Sequence, residues 1–360
     1  MTDRFPLPPG STIGIVGGGQ LGRMLALAAA RLGFRVAVLA HAPGSPAGQV
    51  CAEEIVGAYD DPEAIGRLAA RADVVTFEFE NVSAEALAAA ARAGAPVAPP
   101  GRALAVSQDR LDEKRFLNAH GLHTAPFAPI DAAADIAAAL EQLGAPALLK
   151  TRREGYDGKG QAWISTAAEA EAAFAAVGAR PAILEGRAVF VRELSVIAAR
   201  GRDGRVAAYP VGENRHEAGV LRTTLAPASV SPALAAEAGR MATVLLEALD
   251  YVGVIGVELF ELEDGRLLVN EFAPRVHNTG HWTLDGCEVD QFEQHIRAVA
   301  GWPLGPTEAL MRVEMTNLLG AEADDWAALA ADPDARLWLY GKRDAAPGRK
   351  MGHVNRMRPL

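Results

Sequence analysis

The chain has 360 residues, half of them hydrophobic, and carries 45 acidic against 35 basic side chains for a net charge of -10. That length suits two to three domains at roughly 150 residues each, and the acidic balance argues against broad nucleic-acid binding, which needs a surplus of Lys and Arg. The two cysteines, Cys51 and Cys287, are too few and too far apart for a disulfide framework or a metal site, and read as buried small hydrophobes in a reducing compartment.

Met1 to Gly10 holds prolines and charges rather than an apolar signal core, and no long apolar run follows; a soluble cytoplasmic protein without a membrane span is expected. Ser11–Val16 reads as a strand, then comes Gly17-Gly18-Gly19-Gln20-Leu21-Gly22 and a helix to about Leu32. Gly33 ends that helix and Phe34–Leu39 is the next strand. A helix at Pro62–Ala70, a strand at Val74–Glu80, a helix at Ala84–Ala93 and a short strand at 96–98 complete an alternating pattern. Such alternation predicts a parallel sheet wound with helices on both faces. Pro99-Pro100-Gly101 marks its exit, and Ser107–His120 reads as one charged helix.

From Pro146 the pattern becomes α+β. Strands are expected at Ala147–Lys150, Gln161–Ile164, Ala182–Glu185, Glu193–Ala199 and Val206–Pro210, with helices at Ala167–Ala176 and Pro232–Leu249. A hairpin follows over Gly253–Phe272, turning at Asp264-Gly265. Beyond about Pro303 the text is irregular, apart from a short strand at Leu337–Tyr340, a small helix near Trp326 and a basic end.

Gly17, Gly19 and Gly22 fit G-x-G-x-x-G directly after a strand, the setting of a dinucleotide site. Such a site for NAD also wants an acidic residue at the end of the second strand, where this chain has Ala40-His41. An oxidoreductase is therefore disfavoured, leaving a plain tight turn or a helix N-terminus for another phosphorylated ligand. Glu78 and Glu80 alternate with Phe77 and Phe79, so both carboxylates share one face at the ligand-binding end of a strand.

The second glycine-rich loop, Arg152 to Gly160, follows Lys150. Gly155, Gly158 and Gly160 let backbone N–H groups approach phosphate oxygens, and Lys150 and Lys159 add charge. It lacks the ending of a P-loop and reads as a strand–loop–strand lid, or as an ordinary hairpin. In the later hairpin, a two-residue turn at Asp264-Gly265 makes the numbers of facing residues sum to 529. Glu258 and Glu271 obey that sum. Like charges facing across a sheet are unfavourable unless a cation lies between them, and a hard divalent ion beside phosphates is commonly Mg²⁺. Asn270 points to the opposite face unless the strand is irregular. Past the hairpin, the run from Pro274 to Trp282 packs Arg275, His277, Asn278 and His281 beside this pair, where fixed donors would stabilise a developing anion.

Seven stretches carry a resemblance along nearly the whole chain: Gly17 to Met24, Phe77 to Val82, Gln108 to Arg110, Gly155 to Gln161, Tyr251 to Val254, Asn270 to Thr283 and Pro347 to His353. Together they resemble the 5-(carboxyamino)imidazole ribonucleotide synthases of the ATP-grasp superfamily. The resemblance implies a Rossmann-like N-terminal domain (residues 1–101), an ATP-grasp domain (102–300) and a small C-terminal domain (301–360). The family usually continues past its Gly-His motif, so the last domain is expected to be short. The implied reaction is ATP- and bicarbonate-dependent carboxylation of 5-aminoimidazole ribonucleotide, through carboxyphosphate, by a homodimer using ATP and two Mg²⁺ ions.

Residue by residue, the resemblance assigns Arg110 and Lys150 to ATP phosphates, with Gly155, Tyr156, Asp157, Gly158, Lys159, Gly160 and Gln161 folding over them. Glu185, Gly186, Arg187 and Ala188 fall at the adenine edge, Glu193 at the ribose, and His216 and Asn270 near the nucleotide. Glu258 and Glu271 match the metal ligands. Arg275, His277 and Asn278 match the bicarbonate site. Gln20, Leu21, Glu78, Tyr156 and Asp157 match positions facing the imidazole ribonucleotide, and Lys342, Arg349 and Lys350 its 5′-phosphate. The rival readings are an ATP-grasp ligase for another ribonucleotide, such as a formate-dependent glycinamide ribonucleotide transformylase, an NAD(P) oxidoreductase, and a non-catalytic ATP sensor.

Overall fold

A computed structural model describes residues 4–155 and 159–360. The chain opens with β1 (Thr12–Val16), α1 (Gln20–Arg31), β2 (Arg35–Ala40), β3 (Glu53–Val56), α2 (Pro62–Ala69), β4 (Val74–Phe77) and α3 (Ala84–Arg92). The strands form a parallel sheet in the order β3-β2-β1-β4. All five residues of β1 and all four of β4 are buried, as an apolar run covered on both faces requires. The sequence reading missed β3, whose Glu53-Glu54 start hides an edge strand. It also ran the fourth strand too far: Glu78 and Glu80 lie beyond its end at Phe77.

Helices α4 (Gly101–Ser107) and α5 (Arg110–Ala119) follow. The expected single helix is two, because the Asp109 carboxylate accepts from Leu111 N–H at 3.0 Å and caps the second. A four-stranded sheet then forms from β5 (Phe127–Ile130), α6 (Asp135–Leu143), β6 (Ala147–Thr151), β7 (Gln161–Ile164), α7 (Ala170–Ala176) and β8 (Ala182–Gly186), in strand order β5-β8-β6-β7.

The largest sheet begins with β9 (Arg192–Arg200), β10 (Val206–Ala208), β11 (Gly212–Glu217) and β12 (Val220–Ala226), backed by α8 (Pro232–Ala248), and continues with β13 (Gly253–Glu261) and β14 (Leu267–Ala273). After α9 (Thr283–Gly286) and α10 (Gln291–Ala300) come β15 (Arg312–Leu319), α11 (Trp326–Ala331), β16 (Ala335–Leu339) and β17 (Lys350–Arg358). These last strands join the same antiparallel sheet, ordered β14-β13-β9-β11-β12-β15-β17-β16 with β10 beside β9. The irregular tail expected from the sequence is thus corrected. β15 and β17 mix charged and apolar residues, and pairing along eight positions supplies what their propensity lacks.

The hairpin expectation is half corrected. Gly265 N–H bonds to Leu262 O and Leu262 N–H to Arg266 O, so the loop holds three residues, with Gly265 at φ +79°. Near the turn, Leu259 therefore faces Val269. A bulge between Glu258 and Leu259 then restores the Glu258–Glu271 pairing. Two departures from regularity cancel, and the extra residue is Asn270.

The cysteines are half-buried and free rather than core residues. No described helix is long and apolar enough to cross a membrane.

Candidate active site

A cleft of about 1130 Å³ lies where the three sheets meet, bordered by the ends of β1 and β4, by β6, by the β13–β14 hairpin and by the segment before β17. Its central feature is the facing pair Glu258 and Glu271. Glu271 opens toward the cleft and takes Arg110 Nη1 at 2.6 Å. Burial alone would raise its pKa, but the guanidinium wins and holds it down to about 2. Glu258 has no such cation. Burial first, and the ionised Glu271 second, push it up to about 7.

The bulge brings Asn270 to this pair, its Nδ2 donating to Glu258 Oε2 at 3.4 Å. Two carboxylates and an amide give a hard-oxygen donor set, which fits Mg²⁺. Among the described residues no group of three or more His, Cys, Asp or Glu forms a complete metal cage. That also fits an ion which draws its other ligands from phosphates and water.

β14 is the sheet edge; Val269 N–H bonds to His123 O at 2.8 Å, and two side chains hold the backbone beyond it. Glu113 Oε1 accepts from Phe272 N–H at 2.8 Å, and Lys114 Nζ donates to Asn270 O at 3.3 Å. Both are 2% exposed and flank Glu271. Sequence reasoning did not single them out from the other charges of this helix, and only their place on the inner face of α5 distinguishes them. Burial, then Glu271, raises Glu113 to about 8. Lys114 and Lys150 both reach Glu185, at 3.5 and 2.9 Å, and overcome burial to lower its pKa.

Glu185, Gly186, Arg187 and Ala188 do not border the cleft. Both lysines meet Glu185 Oε2, its Oε1 is buried with no partner among the described residues, and the chain leaves the strand after Gly186. Lys150, Gln161, Glu193 and His216 do border it. Glu193 and His216 share a hydrogen bond, which raises the imidazole pKa against the burial that would lower it. Gly155 and Lys159 lie at the rim, and Gly160 has φ +70°. Tyr156, Asp157 and Gly158 lie outside the described residues.

On the far wall, Arg275 Nη2 meets Glu80 at 2.6 Å. His277 Nδ1 accepts from Thr279 N–H at 3.4 Å, so its Nε2 carries the proton and faces Glu258 Oε1 at 3.7 Å. Burial, and then Arg275, lower this imidazole to about 3. Asn278 borders the cleft, yet neither its Oδ1 nor its Nδ2 has a partner among the described residues. His281, grouped with these by sequence, is buried and away from the cleft.

Gln20, Leu21 and Glu78 line the N-terminal end. Gly19 N–H donates to Glu78 Oε1 at 2.7 Å, and a Cβ on Gly17 or Gly19 would fall within 2.8 Å of that side chain. The first glycine turn thus makes room for a carboxylate, and the negative charge stands where a dinucleotide pyrophosphate would. Lys342, Arg349 and Lys350 face it across the cleft, Lys342 Nζ bonding to Lys350 O at 2.6 Å.

The chain matches three family models in succession: a ribonucleotide synthetase preATP-grasp domain (residues 11–108), an ATP-grasp domain (115–292) and a phosphoribosylaminoimidazole carboxylase C-terminal domain (314–359). It is 53% identical to an N5-carboxyaminoimidazole ribonucleotide synthase of Brucella melitensis, over 99% of each chain. A solved ADP complex of an N5-carboxyaminoimidazole ribonucleotide synthetase superposes with a TM-score of 0.94 at 41% identity, over 98% of this chain and 93% of that one. The Aspergillus clavatus enzyme in complex with ADP and 5-aminoimidazole ribonucleotide gives 0.92 at 34% identity, over 98% and 94%.

Proposed function

The chain belongs to the N5-carboxyaminoimidazole ribonucleotide synthase family, and on that premise we propose how its cleft works. The protein is an ATP-dependent ligase of purine biosynthesis that carboxylates the exocyclic amine of 5-aminoimidazole ribonucleotide. Bicarbonate is the carboxyl source: its oxygen attacks the γ-phosphorus, ADP leaves, and carboxyphosphate forms. The amine then takes the carboxyl group while phosphate departs and one proton is released.

Arg110 and Lys150 take the ATP phosphates, the loop from Gly155 to Gln161 covers them, and Glu193 with His216 serves the ribose end. Glu185 to Ala188 form the adenine edge. Glu258 and Glu271, with Asn270 beside them, hold Mg²⁺, which when bound neutralises phosphate charge. Arg275, neutral His277 through its Nε2–H, and Asn278 donate to the carboxyl and phosphate oxygens as negative charge builds there. Gln20, Leu21, Glu78, Tyr156 and Asp157 surround the imidazole ribonucleotide, and Lys342, Arg349 and Lys350 take its 5′-phosphate. The protein works in the cytoplasm as a homodimer.

The observation that carries this reading is the mutually repelling Glu258–Glu271 pair, set between Lys150 and Arg110 on one side and His277 on the other. Phosphate release from Mg-ATP and bicarbonate, with and without 5-aminoimidazole ribonucleotide, tests it. Turnover that requires the aminoimidazole supports the assignment. A requirement for formate and glycinamide ribonucleotide would overturn it.

A further inference from the structure

We propose that Gln291 is a positioning residue of the reaction, setting the His277 imidazole by clamping its backbone from outside the cleft. This rests on the reading that His277 donates to the reacting groups. Gln291 is the first residue of α10, fully buried, and does not border the cleft. Its Oε1 accepts from His277 N–H at 2.9 Å, and its Nε2 donates to His277 O at 2.7 Å. One primary amide thus engages both polar groups of a single residue's backbone, which requires a donor and an acceptor at fixed spacing.

The clamp is itself fixed. Gln291 Nε2 also lies 3.1 Å from His281 Nδ1, and with Oε1 spent on His277 this ring nitrogen must accept. Gln291 N–H donates to Thr283 Oγ1 at 3.1 Å, and that hydroxyl donates to Gly280 O at 2.7 Å. A Cβ on Gly280 would come within 2.7 Å of Gln291 Oε1, so only glycine admits the amide.

On its other side His277 rests on bare backbone, because a Cβ on Gly256 would lie 2.5 Å from the His277 Cβ. With Thr279 fixing Nδ1, the imidazole has one position, and its Nε2–H points at the metal-pair side of the cleft. A loop residue held on three sides in this way is preorganised, and a misplacement near 1 Å costs about 100-fold in rate.

The test compares steady-state carboxylation by wild type, Gln291→Leu, Gln291→Glu, His277→Ala and the His277→Ala/Gln291→Leu double variant, with fold checked by near-ultraviolet circular dichroism and Tm. Gln291→Leu is expected to lower kcat about 10- to 100-fold and leave KM for ATP unchanged. Gln291→Glu keeps an acceptor for His277 N–H but loses the donor to His277 O, so it should also lower kcat, and it carries the test if the leucine variant fails to fold. The double variant should be no slower than His277→Ala alone, because a residue acting through His277 has nothing left to position. Wild-type kcat in both Gln291 variants, or losses that multiply in the double variant, would overturn the proposal. Wild-type turnover by His277→Ala would instead overturn the reading beneath it, whatever the Gln291 variants do.

Discussion

Arg110 Nη1 stands 2.6 Å from Glu271 Oε2, and this contact decides which of the two facing glutamates keeps its charge. Helix α5, between the first two domains, supplies the cation, and the sheet-edge strand β14 supplies the anion. The same guanidinium donates to Gly155 O at 3.2 Å and so also anchors the second glycine loop.

Replacing Arg110 by Met should therefore destabilise the metal-free protein. Glu271 and Glu113 would lose their common cation. Breaking a buried pair costs about 3–5 kcal/mol, and the opening of Glu271 to the cleft reduces this to about 1–3 kcal/mol. A Tm several degrees lower is expected, recovered in part by millimolar magnesium with ADP. Equal Tm values for the two proteins in chelator would contradict the assignment.

Glu271→Gln should abolish turnover and leave the fold intact. The neutral amide keeps the size of the side chain but removes a charged oxygen ligand. The checks are phosphate release for activity, and ADP titration with and without Mg²⁺ for the metal. The variant should still bind ADP yet show little magnesium dependence. Near-wild-type turnover would mean that the pair does not hold the ion.

Lys350→Ala should raise KM for the ribonucleotide more than KM for ATP. Lys350 opens β17 and lines the cleft with Lys342 and Arg349. Initial rates over a grid of both substrates separate the constants. No change in either would make the basic segment a solvated surface.

Acid stability should depend on His295, which joins the first domain to the large sheet. Its Nδ1 accepts from Val254 N–H at 3.1 Å, and its Nε2 pairs with Thr76 Oγ1 at 2.7 Å. Burial lowers its pKa to about 3, against about 6.5 in the unfolded chain. Between those values the unfolded state binds a proton that the folded state does not. The contribution is thus complete above pH 6.5 and is lost as pH falls toward 3, reaching about 2 kcal/mol by pH 5. Denaturant unfolding from pH 7.5 to 5 should show a shallower loss for His295→Asn than for wild type. Parallel curves would refute this.

Much of the site was legible because its residues are consecutive. Asn270 to Asn278 follow one another in the chain, although strand alternation put Asn270 on the face that the bulge then reversed. The Glu258–Glu271 pairing was read from a two-residue turn that does not exist. It holds because a longer loop and a bulge compensate, and neither leaves a clear mark in the residues. Glu113, Lys114 and Gln291 were not legible, since polar residues at the start of a helix ordinarily read as solvated.

The sequence by itself determined the family, through its resemblance, and the two glycine turns and the alternating first domain, because local propensity and short motifs carry those. Tertiary structure alone decided that β15 to β17 extend the large sheet and that Glu78 fills the first glycine turn. It also decided that Arg110 neutralises Glu271 and not Glu258. Those outcomes depend on which distant segments share a low-dielectric space. Distance and burial there set the energy of each charge, and neither is written along the chain.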